Sequence, residues 1–198
     1  MGVKGKKVYL FRMSIKFCGQ NMSNGQRRAA PSKLQAIREW RHQSITTVRR
    51  LKSFMGLAQH YAQFIRCFAE IALPLTNEMK GSLVRKLIWT DQMISAFARL
   101  KSALLEDVVL DIADPSKPYE MQTDASDYAV GGVLSQLNDQ KELRPVAFFS
   151  CKLSGSPGKG QCNWSIREKE TYAIVLTLLK FRSWLASRAT HIRALTDH

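Results

Sequence analysis

The stretch YEMQTDASDYAVGGVLSQL, residues 119–137, decides the fold. YEMQTDAS and AVGGVLSQL are short runs rich in apolar and β-forming residues, and each predicts a β-strand. RPVAFFSCKL, residues 144–153, predicts a third strand, which the polar residues 138–142 join to the second. Three consecutive strands with short connections predict an antiparallel arrangement.

A helix and a fourth strand follow these three. After the Gly/Ser-rich loop SGSPGKGQ, residues 165–186 predict a long helix that is apolar nearly all round, so we expect it to be buried against a sheet. HIRALTDH, residues 191–198, predicts a fourth strand. Such a strand can pair beside the first one through a right-handed crossover. The predicted fold class is therefore α/β, a mixed sheet with a packed helix.

The first 113 residues have a different, α+β character. Residues 8–23 predict two short strands, with turn signals at Gly19 and Asn24-Gly25. The turn DPSKP, which begins at Asp114, is the predicted domain boundary. The three predicted parts are a terminal hairpin over residues 1–30, a helical segment over 31–113 and the α/β unit over 114–198.

Helical periodicity is strongest after Thr46 and Thr47, either of which suits a helix cap. Apolar residues then recur at three- and four-residue steps in one run, which predicts a long amphipathic helix that Pro74 closes. Shorter helices are predicted over residues 31–40 and from Asp91, which is expected to cap its helix.

The positive charge is concentrated near the N-terminus. Lys and Arg number 30 against 16 Asp and Glu, a net charge of +14. Residues 1–60 hold 13 basic and one acidic residue, a net of +12, and the rest of the chain has a net of +2. A basic block favours a polyanionic partner, either nucleic acid or an anionic membrane, and a merely solubilising surface explains it equally. The candidate nucleic-acid contacts here are Arg49, Arg50 and Lys52.

Several classes of protein are disfavoured. Four cysteines are widely spaced without a CxxC pair, which indicates reduced thiols rather than a zinc site. The first residues lack the apolar run of a signal peptide, and no stretch approaches the roughly 20 apolar residues of a membrane span. We therefore expect an intracellular protein without a membrane partner, in either the cytoplasm or the nucleus.

Three carboxylates stand where they can converge. Asp124 ends the first strand of the α/β unit, Asp197 ends the fourth, and Glu170 lies in the first turns of the helix. Converging carboxylates repel one another unless a cation lies between them, and hard oxygen ligands favour Mg²⁺ or Mn²⁺. Such a centre can activate a water for phosphodiester cleavage. Placement alone also fits a turn-forming Asp and a Glu that complements the helix dipole.

The α/β unit contains four ordered motifs, TDASDYAVGGVLSQ, PVAFFSCKL, NWSIREKETYAIV and TDH. In order and spacing they resemble the ribonuclease H domain of gypsy-type LTR retrotransposon Pol polyproteins. Upstream, LKSFMGLAQHYAQFIRCFAEIALPLT and IWTDQMISAFARLKSALLEDVVL resemble that family's thumb and connection, and SIKFCGQNMS resembles the hairpin that grips the primer end. The resemblance covers residues 8–198.

The resemblance implies that Asp124, Glu170 and Asp197 are catalytic, metal-binding carboxylates. Glu170 is preferred to Glu168 because it directly precedes TYAIV and because Glu168 projects on another helix face. In the motif TDASDYAVGGVLSQ, which contains Asp124, we interpret Asp127 as a hydrogen-bonding turn residue.

The resemblance also implies a reaction and its partners. Ser126 is a further candidate contact to a nucleic-acid backbone. The family hydrolyses the RNA strand of RNA/DNA hybrids within an RNA-directed DNA polymerase, so the implied partners are hybrid or duplex nucleic acid and the remainder of the Pol polyprotein.

Two departures from the family keep a second hypothesis open. No YxDD-like polymerase motif occurs in the sequence, and the family's ribonuclease domain continues past TDH to a fourth carboxylate, whereas this sequence ends at His198. One hypothesis is a metal-dependent endonuclease; the alternative is a non-catalytic nucleic-acid-binding or degenerate remnant.

Overall fold

Two four-stranded sheets and the helices around them make up the residues that the computed structural model describes, which are 12–155, 158–186 and 192–196. The first sheet has the order β1-β2-β3-β4, and all its pairs are antiparallel. Its strands are β1 (Ser14–Phe17), β2 (Gln20–Ser23), β3 (Gln26–Ala29) and β4 (Leu110–Asp111).

Two tight turns connect the first three strands, at the positions that the sequence predicted. Cys18 and Gly19 join β1 to β2 with φ of 47° and 74°, and Asn24 and Gly25 join β2 to β3 with φ of 50° and 71°. Positive φ at both central residues is the conformation that two-residue hairpin loops need. The sequence did not predict β3 and β4, and the predicted strand VYLF lies outside the described residues.

Five α-helices of the described residues lie between β3 and β4, together with two short 3-10 helices. They are α1 (Pro31–Glu39), α2 (Val48–His60), α3 (Phe68–Ile71), α4 (Leu73–Asn77) and α5 (Asp91–Leu105). Thr47 caps α2, as predicted, by accepting a hydrogen bond from the Arg50 amide. The predicted cap at Asp91 is wrong by one residue, because the Thr90 side chain caps α5.

The prediction of one long helix closed by Pro74 is wrong. The helix ends at His60, the chain turns left-handed at Cys67 with φ of 56°, and Pro74 lies in the first turn of α4 instead of closing a helix. Tyr61 and Phe68 are nevertheless buried in the same core as α2. Consecutive short helices bury these side chains as one helix would, so the apolar period alone could not reveal the breaks.

The second sheet confirms the predicted α/β arrangement. Its strands are β5 (Tyr119–Ala125), β6 (Ala129–Leu137), β7 (Leu143–Lys152) and β8 (Ile192–Leu195), in the order β7-β6-β5-β8. The pairs β5–β6 and β6–β7 are antiparallel, and β8 returns to pair parallel with β5, with Gln122 opposite Leu195.

Helix α6 (Ile166–Leu185) packs on this sheet through one side only. Its buried residues are Lys169, Ala173, Thr177 and Phe181. Val175 and Leu179 remain 46% and 57% exposed, so the helix is not buried all round as its composition suggested. Among the described residues, no helix combines the length and apolar composition that crossing a membrane requires.

The helical segment covers strand β7 at the edge of the second sheet. The Ala69 amide donates a hydrogen bond to Ser150 Oγ at 3.0 Å, and Phe148 packs against the core of the helical segment. Arg27 of β3 donates to the Val146 carbonyl and, at 3.0 Å, to Gln63 Oε1. These contacts attach the β7 side of the second sheet to the helical segment and to the first sheet.

Candidate active site

Asp124 and Glu170 line the same cleft between the end of β5 and the start of α6. The cleft has a volume of about 170 Å³, and its wall includes Thr123 and Thr196. Asp124 is exposed and Glu170 is half-buried. Asp197 lies outside the described residues. The structure therefore brings together two of the three carboxylates that the sequence singled out.

The capping box of α6 decides which glutamate faces the cleft. Ser165 donates to Glu168 Oε2 from its amide at 2.7 Å and from its hydroxyl at 2.8 Å, and the Glu168 amide donates back to Ser165 Oγ. The hydrogen bond from the Ser165 backbone, followed by that from its side chain, lowers the pKa of Glu168. The Glu168 carboxylate is thus hydrogen-bonded at the start of the helix, and Glu170 is the glutamate that lines the cleft.

A glycine lets α6 lie close to the sheet just behind the cleft. A Cβ added to Gly132 of β6 would meet Thr177 Cγ2 at 2.5 Å and Thr177 Oγ1 at 2.6 Å. Thr177 is fully buried, and its Oγ1 has no hydrogen-bond partner among the described residues. Gly132 therefore sets the distance between helix and sheet, a role that no sequence pattern assigns to this particular glycine.

Ser126 and Asp127 have different hydrogen-bond partners in the turn between β5 and β6. The Ser126 hydroxyl donates to the Ala129 carbonyl and accepts from the Ala129 amide, both at 3.1 Å, so Ser126 organises the turn. Asp127 Oδ1 instead accepts from Lys169 Nζ of α6 at 2.9 Å. Asp127 is therefore a hydrogen-bonding residue of the turn, as interpreted from the sequence, and its hydrogen-bond partner lies in the helix.

Lys169 is the functional candidate that sequence reasoning missed. Its side chain is 5% exposed although it carries a charge. The available signal was its position four residues before Ala173, in the stripe that also contains Thr177 and Phe181. A lysine in the sheet-facing stripe of a helix needs a partner, because an unpaired buried charge is costly.

A second opening joins Asp124 to the helical segment. Asp124, Arg66 and Cys67 line it together. Burial raises the pKa of the Cys67 thiol most, and the negative charge of Glu70 raises it further; the charge of Arg66 lowers it, and Asp124 adds a smaller increase. A neutral thiol and an arginine of the helical segment therefore lie beside the end of β5.

The basic candidates lie on the first turns of α2 and do not line the cleft. Arg49, Arg50 and Lys52 are all exposed, and none of them lines the Asp124–Glu170 cleft. Arg50 donates to the Ser44 carbonyl at 2.7 Å, which fixes part of its guanidinium. These side chains offer a charged surface outside the lining of the cleft.

Comparison with known proteins places these features in a family. Residues 89–192 match the sequence family described as "RNase H-like domain found in reverse transcriptase". The Tf2-3 and Tf2-4 transposon polyproteins of Schizosaccharomyces pombe are each 31% identical to the chain over 192 residues. These residues are 97% of the chain, which spans only 14% of the length of either polyprotein.

Solved structures share the fold. A foamy viral protease-reverse transcriptase in complex with RNA/DNA hybrid superposes with a TM-score of 0.76 at 21% identity, over 96% of this chain and 25% of that one. The same kind of protein in complex with dsDNA gives a TM-score of 0.77 at 20% identity, over 96% of this chain and 38% of that one.

Proposed function

Because the chain belongs to the family of RNase H-like domains found in reverse transcriptase, we propose that it forms part of a metal-dependent nuclease that cuts the RNA strand of RNA/DNA hybrids. The resemblance to retrotransposon polymerases inferred from the motifs is confirmed by the family match and by the transposon polyproteins. The observation that carries the proposal is the cleft that Asp124 and Glu170 line together.

The residues of the cleft fit a divalent cation. The polar residues that line it are Asp124, Glu170, Thr123 and Thr196, whose side chains carry only oxygen as a polar atom, the kind of ligand that Mg²⁺ and Mn²⁺ prefer. Among the described residues no three His, Cys, Asp or Glu side chains already form a cluster. In the parallel pair of β5 and β8, Gln122 lies opposite Leu195. Asp124 follows Gln122 by two residues and Asp197 follows Leu195 by two residues, and this equal spacing supports Asp197 as the third carboxylate.

Reverse-transcriptase RNase H-like domains generally depend on a divalent metal, and we propose Mg²⁺ or Mn²⁺ here. When bound, such a cation supplies the Lewis acidity that activates a water and stabilises the leaving oxygen in phosphodiester cleavage. Asp124, Glu170 and Asp197 would hold it. The capping of α6 by Ser165 and Glu168, together with the contact between Gly132 and Thr177, keeps Glu170 on a rigid element beside β5.

Hybrid or duplex nucleic acid is the proposed partner. The net charge of +12 in residues 1–60 suits a polyanion, and Arg49, Arg50 and Lys52 expose part of it on α2. Ser126, whose hydroxyl is engaged in its own turn, remains a weaker candidate contact. The Tf2 polyproteins are about seven times longer than the chain, so the remainder of a Pol polyprotein is a further proposed partner.

The domain division stays a proposal as well. We assign residues 1–30 to the primer-grip-like hairpin, 31–113 to the thumb and connection, and 114–198 to the ribonuclease H-like domain. Strand β4 at residues 110–111 supports a close union of the first two parts, because it pairs with β3 of the hairpin.

A non-catalytic nucleic-acid-binding protein is the second candidate. It is favoured by the separation of charge, since a net of +12 lies in the first 60 residues and a net of only +2 in the remainder, which contains the cleft. Such binding needs the basic surface and not the carboxylates. It should weaken steeply with salt, because phosphate contacts release counterions.

Cleavage of a labelled RNA/DNA hybrid separates the two candidates. The full chain is incubated with hybrid in Mg²⁺ or Mn²⁺, beside Asp124→Asn, Glu170→Gln and the matched control Glu168→Gln. The nuclease proposal predicts cleavage of the RNA strand that is lost in the first two variants and kept in the third, since Gln can also complete a capping box. Salt-sensitive binding without cleavage by the unmodified chain would favour the non-catalytic candidate.

A further inference from the structure

An ion pair between Lys169 and Asp127 connects the helix to the turn beside the candidate site. Lys169 Nζ lies 2.9 Å from Asp127 Oδ1. The two ends differ in environment, since the Lys169 side chain is 5% exposed and that of Asp127 is 79% exposed. Burying a lysine is costly unless its charge is paired, so this contact matters where α6 meets the sheet.

The pair joins the two segments that carry the candidate carboxylates. Asp127 follows Asp124 by three residues, in the turn that ends β5 and begins β6. Lys169 immediately precedes Glu170 in α6. Successive helical residues project about 100° apart, so one side chain can reach the turn while the next lines the cleft.

Apolar packing at this end of α6 is thin. The buried cluster near the cleft contains Val130, Leu153 and Ala173. Farther along the helix the buried cluster is larger: it consists of Tyr119, Met121, Leu134, Val146, Ala147 and Phe181. Segments with few buried apolar contacts open more readily, so a polar tether has most effect at the end where Glu170 lies.

We propose that the Lys169–Asp127 ion pair is a clamp that holds the Asp124 segment and the Glu170 segment at the separation a divalent cation needs. This inference rests on the proposed function. Lys169 and Asp127 are positioning residues in it, and neither is a metal ligand. In this proposal, cation binding requires the ion pair as well as the carboxylates that contact the cation.

Four single variants of the full chain, and the double variant Lys169→Met/Asp127→Asn, test the clamp. Lys169→Met removes the charge and keeps most of the side-chain volume. Asp127→Asn removes the charge of the exposed partner, where a substitution has little effect on folding. Lys169→Arg keeps the charge. The matched control is Lys117→Met, because Lys117 forms a 2.6 Å ion pair with Asp139 at the opposite end of the same sheet.

Two readouts are compared in each variant. Amide hydrogen exchange, measured without metal, reports opening of residues 124–130 and of the first two turns of α6. Mn²⁺ affinity, measured by electron paramagnetic resonance, reports the site itself. Urea unfolding in parallel identifies any variant whose global stability has changed, so that local opening is not confused with unfolding.

The clamp predicts that Lys169→Met and Asp127→Asn each speed exchange in these segments and weaken Mn²⁺ binding, both roughly tenfold. The double variant should be no worse than Lys169→Met, because both changes break one contact. Lys169→Arg should stay within about twofold of the unmodified chain, and Lys117→Met should change neither readout.

Unchanged exchange in both single variants would overturn the clamp, as would faster exchange with unchanged Mn²⁺ affinity. If the unmodified chain binds no Mn²⁺, the proposed function fails, and the inferred role in positioning a cation fails with it. The exchange data would then still show whether the ion pair holds the two segments together, so the two failures are distinguishable.

Discussion

Replacing Gly132 with alanine should push α6 away from the sheet. The added Cβ would lie 2.5 Å from Thr177 Cγ2, about 1 Å inside the ordinary contact range of 3.4–4 Å. Thr177 is fully buried, so its methyl group has no free space to enter. Overpacking of this kind costs about 1–3 kcal/mol of unfolding free energy. We therefore expect Gly132→Ala to be destabilising by that amount.

The neighbouring glycine supplies a matched control. A Cβ on Gly131 would meet the Phe149 carbonyl at 3.4 Å, which is ordinary contact, so Gly131→Ala should change stability by less than about 0.5 kcal/mol. Adding Thr177→Ala to Gly132→Ala removes the methyl and hydroxyl groups that clash. The double variant should recover much of the lost stability, which a double-mutant cycle measures as a coupling energy.

Urea unfolding followed by circular dichroism at 222 nm gives these free energies. The proposed function also predicts that Gly132→Ala cleaves RNA/DNA hybrid more slowly than Gly131→Ala. A shift of α6 moves Glu170 relative to Asp124, and small displacements of catalytic groups lower the reaction rate. Equal stability of Gly132→Ala and Gly131→Ala would refute the reasoning, and so would a double variant no more stable than Gly132→Ala.

Three further predictions concern a buried hydroxyl group and two groups whose pKa is shifted. Thr177→Val should raise the unfolding free energy by up to about 1 kcal/mol in urea titrations, because Thr177 Oγ1 is buried without a partner among the described residues; a loss would reveal a missed hydrogen bond. The folded pKa of Glu168 lies below its ordinary value of 4.5, so its contribution to stability is present above that value and is lost as the pH falls through the folded pKa. Glu168→Gln should flatten this part of the stability–pH curve, and an unchanged curve would contradict the capping assignment. Cys67, whose thiol pKa is raised by burial, should react with iodoacetamide at pH 8 more slowly than exposed Cys18; equal rates by peptide mass spectrometry would show that Cys67 is accessible.

The strands of the α/β unit were predictable because their signals are local. Alternating and β-branched runs bounded by turn residues mark β5, β6 and β7, whose observed ends lie within one residue of the predicted ones. The parallel return of β8 beside β5 followed from the connection rules. Strand β4 at residues 110–111 escaped prediction because two residues that pair with a distant hairpin carry no periodic signal.

The helical segment was less predictable because tertiary contacts break its helices. Tyr61 follows the end of α2, and its hydroxyl donates to the Gly19 carbonyl at 3.0 Å. Gly19 lies 42 residues away in the hairpin, so no local pattern records this contact. The left-handed residue Cys67 is likewise not a glycine or asparagine, the types that normally signal such a turn.

The candidate site also contains residues that the sequence predicted and residues that it did not. Motif order and helical phase selected Asp124 and Glu170, and the structure places both in one cleft. Lys169 and Gly132 were missed, because their importance depends on what faces them across the helix–sheet interface. A sequence can nominate the groups that perform chemistry, whereas the groups that hold them in place emerge only from packing.

Mn²⁺ binding by the full chain tests the central claim most directly, because it examines the carboxylates without requiring turnover. Electron paramagnetic resonance titrations would compare the unmodified chain with Asp124→Asn, Glu170→Gln and Glu168→Gln. A shared carboxylate site predicts saturable binding that is lost or weakened at least about tenfold in the first two variants and retained in the third. Binding of equal strength in all four proteins would contradict a metal site formed by Asp124 and Glu170.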